Sequence, residues 1–341
     1  MSSLAGRWRG LFLLLISLGT TMSAQAASTF FNPILSDGAD PWVVRHDDGY
    51  YYYTQTTGSD ISLWRTKDLT DLENAERKVV WSPDPGAGNG SHLWAPELHL
   101  LDGRWYIYFA ASDGDMTRQR MHVLQSRGED PFGEYGFPVD TRQGKVSDAS
   151  DKWAIDGTVL DYRGGRYFIW SGWEGDVNEQ QRIYIARMAS PWQLVGPRVE
   201  ISRPELLWER IGTPQVNEAP QVLLSPGGRL FLLYSASGSW TDDYCLGLLE
   251  LAGEDPMNPT HWTKRPQPVF SKDEAVGVYG PGHNGFFTDS GGQPWLIYHA
   301  AKFKGAGWNR EIHMQPFDWD EQGLPQFGIP AGTGRALAAP R

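Results

Sequence analysis

The chain reads Asp40-Pro41-Trp42-Val43-Val44 and then, after the dipeptide Asp48-Gly49, four consecutive tyrosines at positions 50–53. An apolar strand, a two-residue turn and a second aromatic strand form a β-hairpin, because both central positions of such a turn favour residues that tolerate positive φ. The pattern returns four times along the chain. The later copies centre on the turn glycines Gly103, Gly165, Gly228 and Gly292.

The spacing of these hairpins indicates the architecture. Successive turn glycines are 54 to 64 residues apart, which is enough for a four-stranded sheet with its loops. Long helical periodicity is absent, while the sequence holds 39 glycines and 23 prolines. We therefore predict an all-β fold, a five-bladed β-propeller that forms a single catalytic domain over residues 28–341. A β-sandwich followed by a second β domain is the alternative, and the even spread of the repeats disfavours it.

Residues 1–27 have the pattern of a cleaved signal peptide. Arg7 and Arg9 precede an apolar run at 11–18, and Ala24-Gln25-Ala26 offers a small-residue cleavage site. The run is shorter than the roughly 20 residues of a membrane anchor. We expect an exported protein, periplasmic or extracellular, that is not held in a membrane.

The composition limits the kinds of molecule that this protein can be expected to bind. The chain has 30 Lys and Arg against 41 Asp and Glu, a net charge of -11, so it offers no basic surface for nucleic acid. A single cysteine, Cys245, excludes an intramolecular disulfide. The 16 tryptophans and 14 tyrosines supply flat faces that stack on sugar rings as well as fill a β core. We expect a monomer with a carbohydrate substrate.

Titratable side chains recur at one position of the repeat, nine or ten residues before the turn glycine. They are Asp40, Asp156, Glu218 and His283. Because equivalent strand positions of a propeller point to the same axis, we expect these side chains to converge. Converging carboxyls cost several kcal/mol in repulsion and desolvation, so their common register favours a functional site over a structural one.

The second repeat has Trp94 at this position. Its nearest carboxylate, Glu97, lies only six residues before Gly103, so we expect Glu97 to be a structural hydrogen-bonding residue and not a catalyst. The residue at the common position thus differs from repeat to repeat. That asymmetry favours one site with divided roles over a sugar-binding propeller lectin, the alternative from another functional class.

Three carboxyls suit glycoside hydrolysis, which needs one protonated acid and one ionised carboxylate on opposite sides of the anomeric carbon. A third carboxylate near the acid raises its pKa, so that the proton is retained at neutral pH. Four segments resemble glycoside hydrolase family 43. They are Gly38-Ala39-Asp40-Pro41-Trp42, Ala154-Ile155-Asp156-Gly157, Val216-Asn217-Glu218-Ala219-Pro220 and Gly280-Pro281-Gly282-His283-Asn284.

The resemblance covers the mature chain and implies roles for these residues. It implies that Asp40 is the base of an inverting cleavage, Glu218 the general acid, and Asp156 the residue that raises the pKa of Glu218 and orients it. It also implies that His283 approaches a central metal ion or an ordered water. We expect no required cofactor, and a mostly water-ligated calcium ion near His283 stays an open alternative.

Three further residues are candidates for substrate binding. Trp94 and Trp173 are predicted walls of the sugar subsite, with core packing as their alternative role. Arg310 is predicted to reach a sugar hydroxyl or the region of Glu218, with a surface ion pair as its alternative.

The substrate is also implied by resemblance. The segment 32–41 is similar to exo-acting α-L-arabinofuranosidases, which implies release of L-arabinofuranose from arabinan or from arabinose-decorated plant polysaccharides and oligosaccharides. A β-xylosidase and an endo-arabinanase are the alternatives within the family. Only 27 residues follow Met314, so we expect no additional β-sandwich of the kind that many xylosidases of the family resemble.

Overall fold

The computed structural model describes residues 28–84, 86–139 and 141–341, and the predicted signal peptide lies outside them. The described chain is built from β-strands, which confirms the all-β prediction. Its helical segments are short 3-10 turns at Leu69–Asn74, Met116–Arg118, Leu207–Glu209 and Pro259–His261. In these three ranges no helix has the length and apolar character needed to cross a bilayer.

After a short strand β1 (Thr29–Phe30), the chain forms five successive antiparallel units, of which the third and fourth are joined into one eight-stranded sheet by a short parallel pairing of Gln180 and Gln181 with Gln215 and Val216. Unit 1 consists of β2 (Trp42–Arg45), β3 (Tyr51–Thr54), β4 (Ile61–Thr66) and β5 (Glu76–Trp81). Unit 2 consists of β6 (Ser91–Leu101), β7 (Arg104–Ser112) and β8 (Arg120–Ser126), with β9 (Tyr135–Gly136) and β10 (Lys145–Val146) both paired to β8.

The remaining units repeat this plan. Unit 3 consists of β11 (Ala154–Tyr162), β12 (Gly165–Gly172), β13 (Gln180–Ser190) and β14 (Gln193–Ser202). Unit 4 consists of β15 (Gln215–Leu224), β16 (Leu230–Ala236), β17 (Cys245–Leu251) and β18 (Trp262–Lys264). Unit 5 consists of β19 (Tyr279–Thr288), β20 (Pro294–Ala301) and β21 (Arg310–Pro316). The chain ends in β22 (Asp318–Trp319), β23 (Pro325–Gln326) and β24 (Leu337–Ala338), which pairs with β1.

Each unit opens with a hairpin, as predicted, but the two-residue turn was wrong for units 1, 4 and 5, whose loops have three residues between the paired His46 and Tyr50, Ser225 and Arg229, and Asp289 and Gln293; in unit 3 the turn is displaced. Gly49, Gly103, Gly228 and Gly292 have positive φ, as their turns require. In unit 3 the turn residues are Arg163 (φ 49) and Gly164 (φ 77), while Gly165 already pairs with Tyr162 as the first residue of β12. The prediction that Gly164-Gly165 forms this turn was therefore wrong by one residue.

The first strands of the units, here called the inner strands, surround a common centre. They contact one another in the order β2, β6, β11, β15 and β19, and β19 contacts β2 again. The apolar core is divided in the same cyclic way, because each of five buried clusters is filled by two neighbouring units. This packing fixes the beginnings of the inner strands relative to one another.

Candidate active site

The inner strands share an unusual backbone feature near their beginnings. A residue with left-handed φ stands there in every unit, and these residues are Asp40 (φ 58), Ala95 (φ 45), Asp156 (φ 55), Ala219 (φ 49) and His283 (φ 43). In units 2 to 5 the strand pairing is also irregular at this point. Left-handed φ is uncommon for residues other than glycine, and here it belongs to a bulge that redirects the side chains.

This geometry corrects the register counted from the turns. The equivalent positions in units 2 and 4 are Ala95 and Ala219, so Trp94 and Glu218 each stand one residue before the common position. In unit 4 the count of nine residues before the turn glycine gives Ala219, and only the allowance of one extra residue admits Glu218; in unit 2 the common position lies eight residues before Gly103. Glu218 therefore does not share the strand position of Asp40, Asp156 and His283.

Hydrogen bonds from side chains of the preceding unit hold these bulges. Four of the left-handed residues donate their backbone N–H in this way: Asp40 to Nδ1 of His299 (3.1 Å), Ala95 to Oγ1 of Thr56 (2.7 Å), Ala219 to Oδ2 of Asp156 (3.0 Å) and His283 to Oγ of Ser235 (2.8 Å). Such bonds offset part of the strain of about 1–3 kcal/mol that an unfavourable φ carries.

Asp40 is held in its ionised form. Thr56 donates its hydroxyl to Oδ2 at 2.5 Å, Nδ1 of His283 lies 3.1 Å from Oδ1, and Nη1 of Arg310 lies 3.7 Å from Oδ1. Burial by itself would raise the pKa of Asp40, but His283, His299 and Arg310 together lower it far below its ordinary value. Burial also lowers the pKa of His299 to about 3, so Arg310 is the lasting positive charge beside this carboxylate at neutral pH.

Glu218 is the opposite case, a carboxyl that keeps its proton. Its side chain is 7% exposed, and the hydroxyl of Tyr244 donates to Oε1 at 2.8 Å. Burial raises the pKa of Glu218 to about 7, and the negative charge of Asp40 adds to the rise, while the Tyr244 hydrogen bond and Arg310 oppose it. A carboxyl with this pKa donates a proton near neutral pH.

Asp156 and Glu218 titrate together. Asp156 is 4% exposed, and burial, followed by the charges of Glu218 and Asp40, raises its pKa well above the ordinary value. Two close carboxyls that repel each other retain a shared proton to higher pH than either would alone. The pKa of Glu218 is raised by burial and by the charge of Asp40, whereas sequence reasoning assigned the rise to the charge of Asp156; the repulsion between Glu218 and Asp156 shows in the raised pKa of Asp156.

Arg310 stands beside Asp40 and close enough to Glu218 for its charge to lower the pKa of that carboxyl. Its guanidinium is buried, donates from Nη2 to the backbone oxygen of Ser239 at 2.7 Å, and stands near the ring of Tyr244. It therefore reaches the region of Glu218, as the sequence predicted, and it also stands beside Asp40.

The two predicted tryptophan walls occupy different environments. Trp94 is partly buried at the bulge of β6, next to Ala95, whose N–H is bound to the same Thr56 that donates to Asp40. Trp173 is 5% exposed and stacks on Trp153 with ring centres 4.6 Å apart, as a member of a buried cluster. These are the contacts of a core residue, and a subsite role for Trp173 stays a prediction.

His283 stands beside Asp40, with its Nδ1 3.1 Å from Oδ1 of that carboxyl. Among the residues with described coordinates, no group of three or more His, Cys, Asp or Glu is placed to hold a metal ion. Neither Nδ2 nor Oδ1 of the buried Asn284 side chain forms a hydrogen bond with any residue that the structure describes. One imidazole nitrogen and one amide oxygen suit an ordered water or a largely hydrated ion, since calcium favours six to eight oxygen ligands.

Sequence reasoning missed Tyr244, His299 and Thr56. None of them lies on an inner strand, so the register count did not reach them. Glu97, by contrast, has the hydrogen-bonding role expected of it: Oε1 accepts from Gln221 of unit 4 at 2.5 Å and Oε2 accepts from His99 at 2.8 Å. It joins units 2 and 4 across the centre of the molecule.

A carboxyl whose pKa is lowered and a carboxyl whose pKa is raised, both buried and both affected by the charge of Arg310, are the kind of pair that hydrolysis of a glycosidic bond needs. The chain belongs to glycosyl hydrolases family 43, whose family model matches residues 30–325.

Relatives with assigned activities agree with this class. The chain is 38% identical over 339 residues to an extracellular exo-alpha-(1->5)-L-arabinofuranosidase of Streptomyces avermitilis, covering 94% of this chain and 69% of that protein. It is 38% identical over 292 residues to the enzyme of the same name from Streptomyces chartreusis, covering 84% and 87%. The crystal structure of an alpha-L-arabinofuranosidase from Lactobacillus brevis superposes with a TM-score of 0.82 at 35% identity, covering 89% of this chain and 98% of that one.

Proposed function

We propose that this protein is an exo-acting α-L-arabinofuranosidase that releases L-arabinofuranose from arabinan or arabinose-decorated plant polysaccharide with inversion of configuration. The observation that carries the proposal is the contrast between Asp40, whose pKa is lowered, and Glu218, whose pKa is raised to about 7. Inverting hydrolysis needs this division of protonation between two carboxyls.

Each residue has a defined part in the proposed mechanism. Asp40 takes a proton from a water that attacks the anomeric carbon, and Glu218 gives its proton to the leaving oxygen as the glycosidic bond breaks. Asp156 positions the backbone at Ala219 and opposes ionisation of Glu218. Arg310 keeps Asp40 ionised and orients it. Trp94 and Trp173 contribute walls of the sugar subsite.

The substrate and the setting rest on the relatives. Two are named for extracellular exo-action on α-1,5-linked arabinofuranose, at 38% identity over most of this chain. We therefore propose arabinan-type chains as substrate and export of the protein by its N-terminal segment. The cyclic contacts of the inner strands and the five shared core clusters support a five-bladed propeller formed by residues 28–341.

The proposed reaction requires no cofactor. A hydrated calcium ion beside His283 would add positive charge next to Asp40 and help to keep it ionised. Enzyme treated with EDTA and passed over a desalting column is expected to keep its activity; a loss that calcium restores would make the ion a requirement.

The test follows the released sugar by NMR, with wild type and Glu218→Gln acting on aryl α-L-arabinofuranoside and aryl β-D-xyloside. Arabinose is expected first as the β anomer, and Glu218→Gln is expected to be slower by about 10²- to 10⁴-fold where the leaving group needs a proton. The exposed control Glu321→Gln should match wild type. Release of the α anomer would overturn inversion, release of xylose alone would change the substrate, and sugar binding without cleavage would favour a lectin.

A further inference from the structure

The tryptophans of this protein differ sharply in exposure. Within the described ranges, Trp308 is the one whose side chain is exposed, at 68%. It lies in the loop 302–309 between β20 and β21, just before Arg310. Leaving an indole in water forgoes the free energy that burial of a large apolar side chain provides, and exposed apolar surface of this kind marks binding sites.

The exposed ring is held in place and is not free to move away. Its Nε1 donates to Oγ of Ser239 at 3.2 Å, and its edge meets Trp240 with ring centres 6.1 Å apart at 76°. The backbone N–H of Gly305 donates to Asp242 at 2.8 Å, which ties the same loop a second time to the loop 237–244. A rigid, exposed aromatic face binds a ring at little cost in conformational entropy.

The ring is connected to Asp40 through two residues, Ser239 and Arg310. Ser239, which binds the Trp308 indole through its hydroxyl, also accepts from Arg310 through its backbone oxygen, and Arg310 lies 3.7 Å from Asp40. The loop 237–244 that carries Ser239 and Trp240 ends at Tyr244, which donates to Glu218. The aromatic pair is therefore on the side of the molecule where the acid stands.

We propose that Trp308, supported by Trp240, is the platform on which the sugar ring on the leaving-group side of the scissile bond stacks. The general acid protonates the leaving oxygen, so the departing ring passes beside Glu218 and over this platform. The apolar face of a furanose ring against indole fits the geometry, and the substrate class is thus a chain of at least two arabinofuranosyl units. This inference rests on the proposed function.

The test compares α-1,5-L-arabinotriose, whose leaving group is a sugar, with α-L-arabinofuranosyl fluoride, whose leaving group has no ring and needs no proton. Trp308→Ala is expected to lower kcat/KM for the triose about tenfold and to change the fluoride rate by no more than about twofold. Trp308→Phe should recover most of the loss. Ser239→Ala, which frees the indole but keeps the backbone oxygen for Arg310, should give a smaller loss on the triose alone.

Phe303→Ala is the matched control, because Phe303 is similarly exposed in the same loop. It should leave both rates unchanged, and thermal unfolding of each variant checks the fold. Equal losses on both substrates, no loss on the triose, or an equal loss in Phe303→Ala would each overturn the platform while the proposed function stands. If wild type cleaves neither arabinoside, it is the proposed function that fails.

Discussion

Oδ2 of Asp156 accepts the backbone N–H of Ala219, the residue directly after Glu218, at 3.0 Å. The bond runs from unit 3 to unit 4 and ends on a residue with φ 49. One carboxyl therefore holds the bulge from which Glu218 projects. When ionised, the same carboxyl also opposes the ionisation of Glu218 through its charge.

Asp156→Asn separates these two effects, because the amide oxygen still accepts from Ala219 while the charge is gone. We expect the upper limit of the pH profile of kcat/KM to move to lower pH by about one unit, since Glu218 then loses its proton more easily. The control Asp161→Asn lies on the exposed face of the same strand. If the upper limit of the pH profile does not move, Asp156 acts only by holding the backbone at Ala219 and not through its charge.

Tyr244→Phe should move the same limit in the opposite direction. The hydroxyl of Tyr244 stabilises ionised Glu218 and so lowers its pKa; without it the pKa rises and the active, protonated form persists to higher pH. The measurement is kcat/KM for arabinotriose against pH. Tyr108→Phe is the control, because it removes a buried tyrosine hydrogen bond that is made to the backbone oxygen of Pro191 and not to Glu218. It should leave the pH profile unchanged, even if it lowers stability.

For the wild-type enzyme, the dependence of the rate on pH should differ between substrates with different leaving groups. Because the pKa of Glu218 is raised to about 7, the rate on arabinotriose should fall roughly tenfold per pH unit above that value. The pKa of Asp40 is lowered, so the base stays ionised well into the acid range and sets no limit near neutral pH. Arabinofuranosyl fluoride needs no proton from Glu218, and its rate should stay level where the triose rate falls. Parallel profiles would argue against Glu218 as the acid.

The sequence was sufficient to predict the hairpins and the inner-strand residues. Dipeptides such as Asp102-Gly103 specify their turns locally, since φ is 52 and 75 at these two residues. Asp40, Asp156 and His283 have left-handed φ at equivalent places near the beginning of their inner strands, where the sequence count also put them.

Other parts of the site depend on contacts that no local pattern encodes. His299 lies in β20 and meets Asp40 only because unit 5 packs against unit 1. Tyr244 precedes β17 and reaches Glu218 across its own unit. Glu218 does not occupy the common position at all; it lies directly before Ala219, the residue of unit 4 that has the left-handed φ.

The bulge at Asp156 also requires a glycine directly after it. A Cβ at Gly157 would lie 2.1 Å from Cζ of Phe168 and 2.8 Å from Cε of Met121, and a packed ring in a buried cluster has little room to withdraw. Gly157→Ala should therefore lower the free energy of unfolding by about 1–3 kcal/mol, seen as a lower urea midpoint. It should also lower kcat more than KM, because Asp156 and Ala219 move with the bulge. Gly175→Ala, where an added Cβ meets nothing within 4 Å, is the control for the substitution. An unchanged urea midpoint for Gly157→Ala would mean that Phe168 does not pack tightly against Gly157. The packing of Phe168 would then not explain the position of the bulge that carries Asp156.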